Sequence, residues 1–247
     1  MNVELVSKTV PNKDYFHNKL QELIDNDIID LVEANKVKRE LDAEQLIIYI
    51  ARVSSSRDNK LENYSGLLNY LIDHKHWSPF EHAYMTVEIK TSRAITHQLI
   101  RHRSFTFQEF SQRYAEVTEF EDIELRKQPK NNRQSSGKVL NPKIPARDST
   151  HSNGKDVVSD FLQDSNLLYS RLLNAGVARE TARFILPLCT KSTLYMTGNI
   201  RSWIHFLDIR DDSHAQKEIV QVAQEVGKIF QQEYPVISQA LGFNYDN

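Results

Sequence analysis

The stretch QLIRHRSFTFQEFSQRYAE, Gln98 to Glu116, sets Arg101, Arg103 and Arg113 beside His102, with Phe105, Phe107 and Phe110 between them. Cations at this density in a chain of formal net charge -2 need a local cause, because the chain as a whole exerts no pull on polyanions. Guanidinium groups donate two parallel hydrogen bonds to phosphate, so the segment suits an anionic ligand. Gln98, Glu109 and Ser111 add the donors and acceptors that would orient a planar polar molecule. Two alternatives compete with an anion site. Arg101, His102 and Arg103 at a helix C-terminus would interact favourably with its dipole, by about 0.3–1 kcal/mol each when exposed. Arginines interleaved with Phe105 and Phe107 could instead stack bases and contact phosphates, as in a single-stranded nucleic-acid-binding module. The first leaves Arg113 unexplained. The second expects further basic clustering, which occurs only in the 126–147 loop.

The rest of the chain must position these groups. Its 247 residues, 40% apolar and 26% charged, can build a sizeable soluble core. No apolar run approaches the roughly 20 residues that cross a bilayer. The opening MNVELVSKTVPNKD lacks the layout of a signal peptide, so a cytoplasmic protein is expected. Cys189 is the single cysteine, which excludes an internal disulfide and any multi-cysteine zinc site.

Apolar spacing predicts helices over 43–56, with Leu46, Ile47, Ile50 and Ala51 on one face, and over 61–75. Ala83, Met85, Val87 and Ile89 alternate with polar residues as in a half-buried strand. Ser92 can cap a helix over 93–102, edged by Ile95 and Leu99, so the arginine-rich stretch would begin in a last helical turn and run into a loop. Residues 127–156 read as a long polar surface loop or a partly ordered insertion. An amphipathic helix follows at 156–175, with Phe161, Leu168, Tyr169 and Leu172 on its stripe and Gly176 to stop it. Residues 177–186 look helical up to Pro187, 190–199 β-prone, and 200–210 a short helix. A final helix over 213–232 would open with a Ser213–Gln216 capping box and bury Ile219, Val222, Ala223, Val226, Ile229 and Phe230. Strands mixed with helices, without βαβ alternation, indicate an α+β fold in one domain over 1–247. There is no GxGxxG or Walker loop, so any nucleotide is held by side chains and helix ends.

Arg-His-Arg, seven residues and Ser111, preceded by Gln98 and followed by QRY, resembles the signature of the flavin-dependent thymidylate synthases. Four other segments are similar to that family's in the same order: HWSPFEH (76–82), IELRKQPKNNRQSS (123–136), ARFILP (182–187) and GNIRSWIHFLDIRDDSHAQKEI (198–219). The likeness runs from about residue 45 to 235. It implies the thymidylate synthase-complementing protein fold, an antiparallel or mixed sheet flanked by helices. It also implies reductive methylation of dUMP to dTMP, with 5,10-methylenetetrahydrofolate as carbon donor and FAD reduced by NADPH. Carried over by position, Gln98, Leu99, Ile100 and Arg101 would bind dUMP. So would Glu109, Phe110, Ser111, Gln112 and Arg113, together with Arg183. Arg210 would be the catalytic group, set against the uracil to promote ionisation at N3 while staying protonated itself.

For FAD the resemblance implies Ser78, Arg101, His102, Arg103 and Glu109, then Asn199, Ile200, Arg201 and His205, with His76 near the flavin and the folate path. The family's assembly is a homotetramer with active sites shared between subunits. Gln108 and His205 depart from it, each standing where asparagine is common. Cys189 reads as a small buried hydrophobe rather than a nucleophile, and Ser111 has no base and carboxylate tied to it. No metal is expected. The His76–His82 spacing interrupted by Pro79 misses helical zinc geometry, and Asp212 with His214 reads as a helix cap.

Overall fold

The computed structural model describes residues 1–25, 41–54, 64–117, 119–131, 136–146 and 150–245. Parts of the expected 43–56 and 61–75 helices and of the 127–156 loop lie outside the described residues.

Strands β1 (Asn2–Lys8), β2 (Tyr84–Ser92), β3 (Thr106–Glu109) and β6 (Lys191–Asn199) make one sheet in the order β1-β2-β6-β3. The alternation expected for β2 holds: Met85, Val87 and Ile89 are fully buried. Its partnership with β6 is antiparallel, with Thr86 and Thr197 hydroxyls 2.9 Å apart, Ile200 N donating to Ala83 O and Arg93 N to Thr190 O. The end of β1 meets the start of β2, where Thr9 N donates to Tyr84 O at 2.9 Å, so that pair is antiparallel as well. β1 had no clear alternation to announce it.

Two compact units divide the chain. The first comprises Met1–Val3, Glu88–Met196 and Asp208–Ala223. It contains helix α4 (Arg93–Leu99), β3, the β4–β5 hairpin (Lys143–Pro145 with His151–Asn153), α5 (Gly154–Asn174) and the short α6 (Arg179–Ala182). The described parts of 127–156 are thus paired through their backbone despite their polarity. Ile144 pairs with Ser152 across the hairpin, and Lys127 and Leu125 exchange backbone bonds with Lys138 and Leu140. Backbone pairing orders the segment where side-chain periodicity carries no signal. α5 ends as expected at Gly176, whose φ of 84° closes a Schellman motif: Gly176 N donates to Leu173 O and Val177 N to Leu172 O. Its stripe is less covered than its periodicity suggests. Ser165 and Tyr169 are buried, while Phe161 is 55% and Leu168 48% exposed.

The second unit comprises Glu4–Val87, Thr197–Leu207 and Gln224–Asn247, with α1 (Lys13–Asp25), α2 (Ala43–Ala51), α3 (Tyr64–Asp73) and α9 (Pro235–Leu241). A capping box opens α2, with Gln45 N donating to Asp42 Oδ1 and Asp42 N to Gln45 Oε1. The buried face of α2 is Ala43, Glu44, Ile47 and Ile48, rotated from the expected one. Glu44 explains the rotation: its carboxyl group accepts the Ile237 N–H at 2.8 Å and faces the Val236 N–H at 3.4 Å, at the start of α9. Trp203, on α7 (Ile200–Arg210), is fully buried and donates Nε1–H to Met85 O at 3.0 Å. α8 (Lys217–Glu233) begins four residues later than expected, so Ser213 is not its cap. Instead Asp212 Oδ1 accepts the backbone N–H of His214 at 2.6 Å and faces its ring Nδ1 at 2.7 Å, a local turn. Ile219, Val222, Ala223, Val226 and Phe230 are buried as expected.

Candidate active site

In the first unit, α4 is pinned at its start by Arg93 N on Thr190 O and Ala94 N on Leu188 O, both backbone bonds to the segment before β6. Ile95 and Leu99 are buried, and the helix stops at Leu99 rather than at residue 102. Ser92 stands at the cap without a side-chain bond. Phe105, 8% exposed, draws the chain inward, and Thr106–Glu109 then runs as β3 in the sheet instead of a loop. The buried Phe105 is unavailable for base stacking, which removes half of the Phe105–Phe107 platform that a nucleic-acid module would use.

Glu109 is turned into the protein. Its Oε1 accepts Thr96 Oγ1 at 2.9 Å and Ser192 Oγ at 2.8 Å, with Arg93 Nη1 at 3.5 Å. Three side chains from two elements, α4 and β6, therefore converge on the last residue of β3 and fix where Phe110, Ser111, Gln112 and Arg113 begin. Gln112 is 4% exposed, and its Nε2 is a buried donor without a partner among the described residues. Arg113 rests 3.5 Å from Glu180, with both side chains more than half exposed. Ser111 Oγ lies 3.4 Å from Arg113 N, and no imidazole or carboxylate among the described residues activates it. Leu99 is wholly in the core and Ile100 is exposed.

Eight of the first unit's arginines fall into two sets, while Arg171, exposed on α5, is a further one with no carboxylate partner among the described residues. Arg93, Arg113, Arg126 and Arg179 all stand within ion-pair distance of a glutamate. Arg101, Arg103, Arg183 and Arg210 meet no carboxylate among the described residues. Arg183 instead donates Nε–H to Glu180 O at 3.3 Å, on a 3-10 turn that Ser165 braces through Ile185 O at 3.1 Å. Arg210 donates Nε–H to His102 Nε2 at 2.7 Å, rather than pairing with Asp211 or Asp212. Burial, then the like charge of Arg101, lowers its pKa from the ordinary arginine value. Two uncompensated guanidiniums held within reach of each other form a place that an anion stabilises. A separate cavity of about 490 Å³, lined by Phe110, Thr91, Lys191 and Glu121, makes no such demand: Lys191 pairs with Glu119 at 2.9 Å and the Met1 amine with Glu121 at 3.4 Å.

The other expected flavin residues lie in the second unit. Asn199 caps α7 by accepting Ser202 N at 2.8 Å, and Ile200 is fully buried, so its side chain belongs to the core. Arg201 pairs with Glu81. Ser78 and His76 are exposed near the 3-10 turn Ser78–His82, and His205 is exposed on α7. Sequence reasoning missed Thr96, Ser192 and Gln216. Gln216 lay inside a quoted motif, whereas nothing in the local pattern marked the other two. Burial raises the pKa of the Cys189 thiol, so a thiolate is disfavoured there.

An α+β protein with a core-anchored helix, an Arg-His-Arg turn and a set of uncommitted guanidiniums has donor groups whose geometry matches phosphate. The family model described as thymidylate synthase complementing protein matches residues 36–236. The chain is 46% identical over 202 residues, 81% of its length and 90% of the relative's, to a probable flavin-dependent thymidylate synthase of Paramecium bursaria Chlorella virus 1. It is 44% identical over 201 residues, again 81% and 90%, to the flavin-dependent thymidylate synthase of Synechocystis sp.. Among solved structures, the UMP/dUMP methylase PolB of Streptomyces cacaoi, bound with 5-Br dUMP, is similar with a TM-score of 0.67 and 27% identity, over 99% of this chain and 96% of that one. The chain belongs to the thymidylate synthase complementing protein family.

Proposed function

We propose that the chain is a flavin-dependent thymidylate synthase that methylates dUMP to dTMP, with 5,10-methylenetetrahydrofolate as carbon donor and NADPH as reductant of FAD. The observation that carries this is the set Arg101, Arg103, Arg183 and Arg210, left without carboxylates while Arg93, Arg113, Arg126 and Arg179 of the same unit are paired. Such a set fits ligands that bring their own phosphates, dUMP with one and FAD with two. Arg101, Arg113 and Arg183 would neutralise the dUMP phosphate and orient it, and the orphaned Gln112 amide would supply a further donor. Arg210, steadied by His102, would stabilise negative charge on the uracil ring, and a guanidinium suits that work because it keeps its proton. His102, Arg103 and Glu109, and likewise Ser78, Asn199, Ile200, Arg201 and His205, would each serve FAD in a site built from several copies of the chain. FAD, once bound and reduced, would supply the hydride. Assembly into a homotetramer would cover the exposed Phe161, Leu167, Leu168, Phe184 and Leu188.

The test is the visible absorption spectrum of the purified protein, joined to tritium release from C5-labelled dUMP with methylenetetrahydrofolate and NADPH. A flavin spectrum and NADPH-dependent release are expected. Folded protein that takes up no FAD and releases no tritium would refute the proposal.

A further inference from the structure

Gln98, Gln216, Glu218 and Arg126 form a hydrogen-bond chain in the first unit that runs in one direction only. Arg126 donates through Nη2 to Oε1 of Glu218. Glu218 Oε2 accepts Gln216 Nε2 at 2.9 Å, and Gln216 Oε1 accepts Gln98 Nε2 at 2.6 Å. Burial opposes ionisation of Glu218, yet the bonds from Gln216 and Arg126 outweigh it and hold the carboxyl below its ordinary pKa. An ionised carboxylate can only accept. It therefore admits only the NH₂ of Gln216, which turns the Gln216 carbonyl toward Gln98 and admits only the NH₂ of Gln98. The orientation of both amides, whose two ends have nearly the same shape, follows from the charge at the far end. Gln98 is left with its carbonyl oxygen, which accepts from no group among the described residues.

We propose that Gln216, locked by Glu218 and Arg126, is a positioning residue that presents Gln98 to the nucleotide carbonyl first, so that Gln98 meets a hydrogen-bond donor of dUMP and not its phosphate. This rests on the reading of the chain as a dUMP-binding enzyme. dUMP has two donors of the required kind, the imide N–H of the uracil and the 3′-hydroxyl of the sugar. Its phosphate is all acceptor at neutral pH, and the relay holds the Gln98 NH₂ away from it.

Calorimetric titration of the FAD-loaded protein with dUMP, N3-methyl-dUMP and 2′,3′-dideoxyuridine monophosphate tests the proposal. In Glu218→Gln the far end can both donate and accept, so Gln216 can turn over and Gln98 with it. dUMP should bind about tenfold more weakly, the loss of roughly one hydrogen bond. The dUMP KM should rise in step while kcat at saturation holds. The analogue that lacks the donor met by Gln98 should bind wild type and variant alike, and the other should keep the tenfold difference, which identifies the donor. The double variant Gln216→Glu, Glu218→Gln restores the direction, because the carboxylate introduced at position 216 would accept from both neighbours and the amide at position 218 would still accept from Arg126. It should regain dUMP affinity. If melting and flavin content show Glu218→Gln misfolded, Gln216→Met breaks the relay without stranding the Arg126–Glu218 pair and carries the same expectations. A dUMP affinity unchanged in the single variant, a double variant no better than the single, or a tenfold loss kept by both analogues overturns the relay alone. Wild-type protein that binds no dUMP overturns the functional reading and the relay with it.

Discussion

Arg210 and His102 are joined Nε to Nε2 at 2.7 Å, which makes the imidazole the acceptor and the guanidinium the donor. An imidazolium cannot accept, so the pair requires neutral His102 with its proton on Nδ1. The histidine of the Arg-His-Arg turn is thereby tied to the arginine expected to act on the uracil, and it restrains that arginine against repulsion from Arg101. A charge-assisted bond of this kind contributes about 1.5–3 kcal/mol, so His102→Ala should lower kcat by roughly 10–100-fold. Arg210→Ala should cost more. The check is single-turnover kinetics on variants with matched flavin content, and a His102→Ala enzyme turning over at the wild-type rate would remove the positioning role.

Cys189 separates two chemistries for the same methylation. A thiolate adding to C6 of uracil needs a thiol poised to ionise, and burial moves Cys189 the opposite way. Cys189→Ala should leave tritium release from C5-labelled dUMP near the wild-type rate. A loss of several orders of magnitude in that assay, with the fold intact, would mean the thiol is the nucleophile after all.

Glu109 is a hub before it is a ligand. Its Oε1 accepts hydroxyl hydrogen bonds from α4 and β6 at once, so the carboxylate fixes the exit of β3 toward Ser111 and Arg113. Thr96→Val keeps the shape and removes one donor to a carboxylate, at a cost of about 1.5–3 kcal/mol. The variant should melt lower and show a raised dUMP KM, and Thr96→Ser should restore both. A Thr96→Val protein with unchanged melting and KM would show the hub to be dispensable.

The chemistry of the candidate site was easier to read in the sequence than the fold around it, for a physical reason. Cations spaced through Arg101, Arg103 and Arg113 carry their chemistry in residue type, and the separate motifs carried the family resemblance. β1 and the β4–β5 hairpin are held by backbone bonds, which leave no mark on side-chain periodicity. The end of α4 was misplaced because Phe105 buries and pulls the chain into the sheet, a tertiary effect invisible within a helical window. Leu99 and Ile200 entered the site through the motif alone, and both are core residues. Thr96 and Ser192 reach Glu109 from 13 and 83 residues away, and only folding brings them there.

Glu44 gives a pH dependence whose sign is fixed. The side chain is fully buried, and burial pushes its pKa from the ordinary 4.5 up to about 7, with the Ile237 and Val236 N–H groups only partly offsetting the rise. Between those values the folded protein keeps a proton that the unfolded chain has lost. The folded state therefore binds more protons, and this group's contribution to stability falls as pH rises from 4.5 to about 7. Outside that window it is flat. At about 1.4 kcal/mol per unit, the loss approaches about 3 kcal/mol. Glu44→Gln cannot titrate and keeps an oxygen for the α9 N–H groups, so the other carboxylates cancel when the two proteins are compared. Urea unfolding of both from pH 4.5 to about 8 should show the wild type losing stability relative to the variant as pH rises. A constant difference across that range would mean the carboxyl is already ionised in the folded protein, held by the two backbone donors alone.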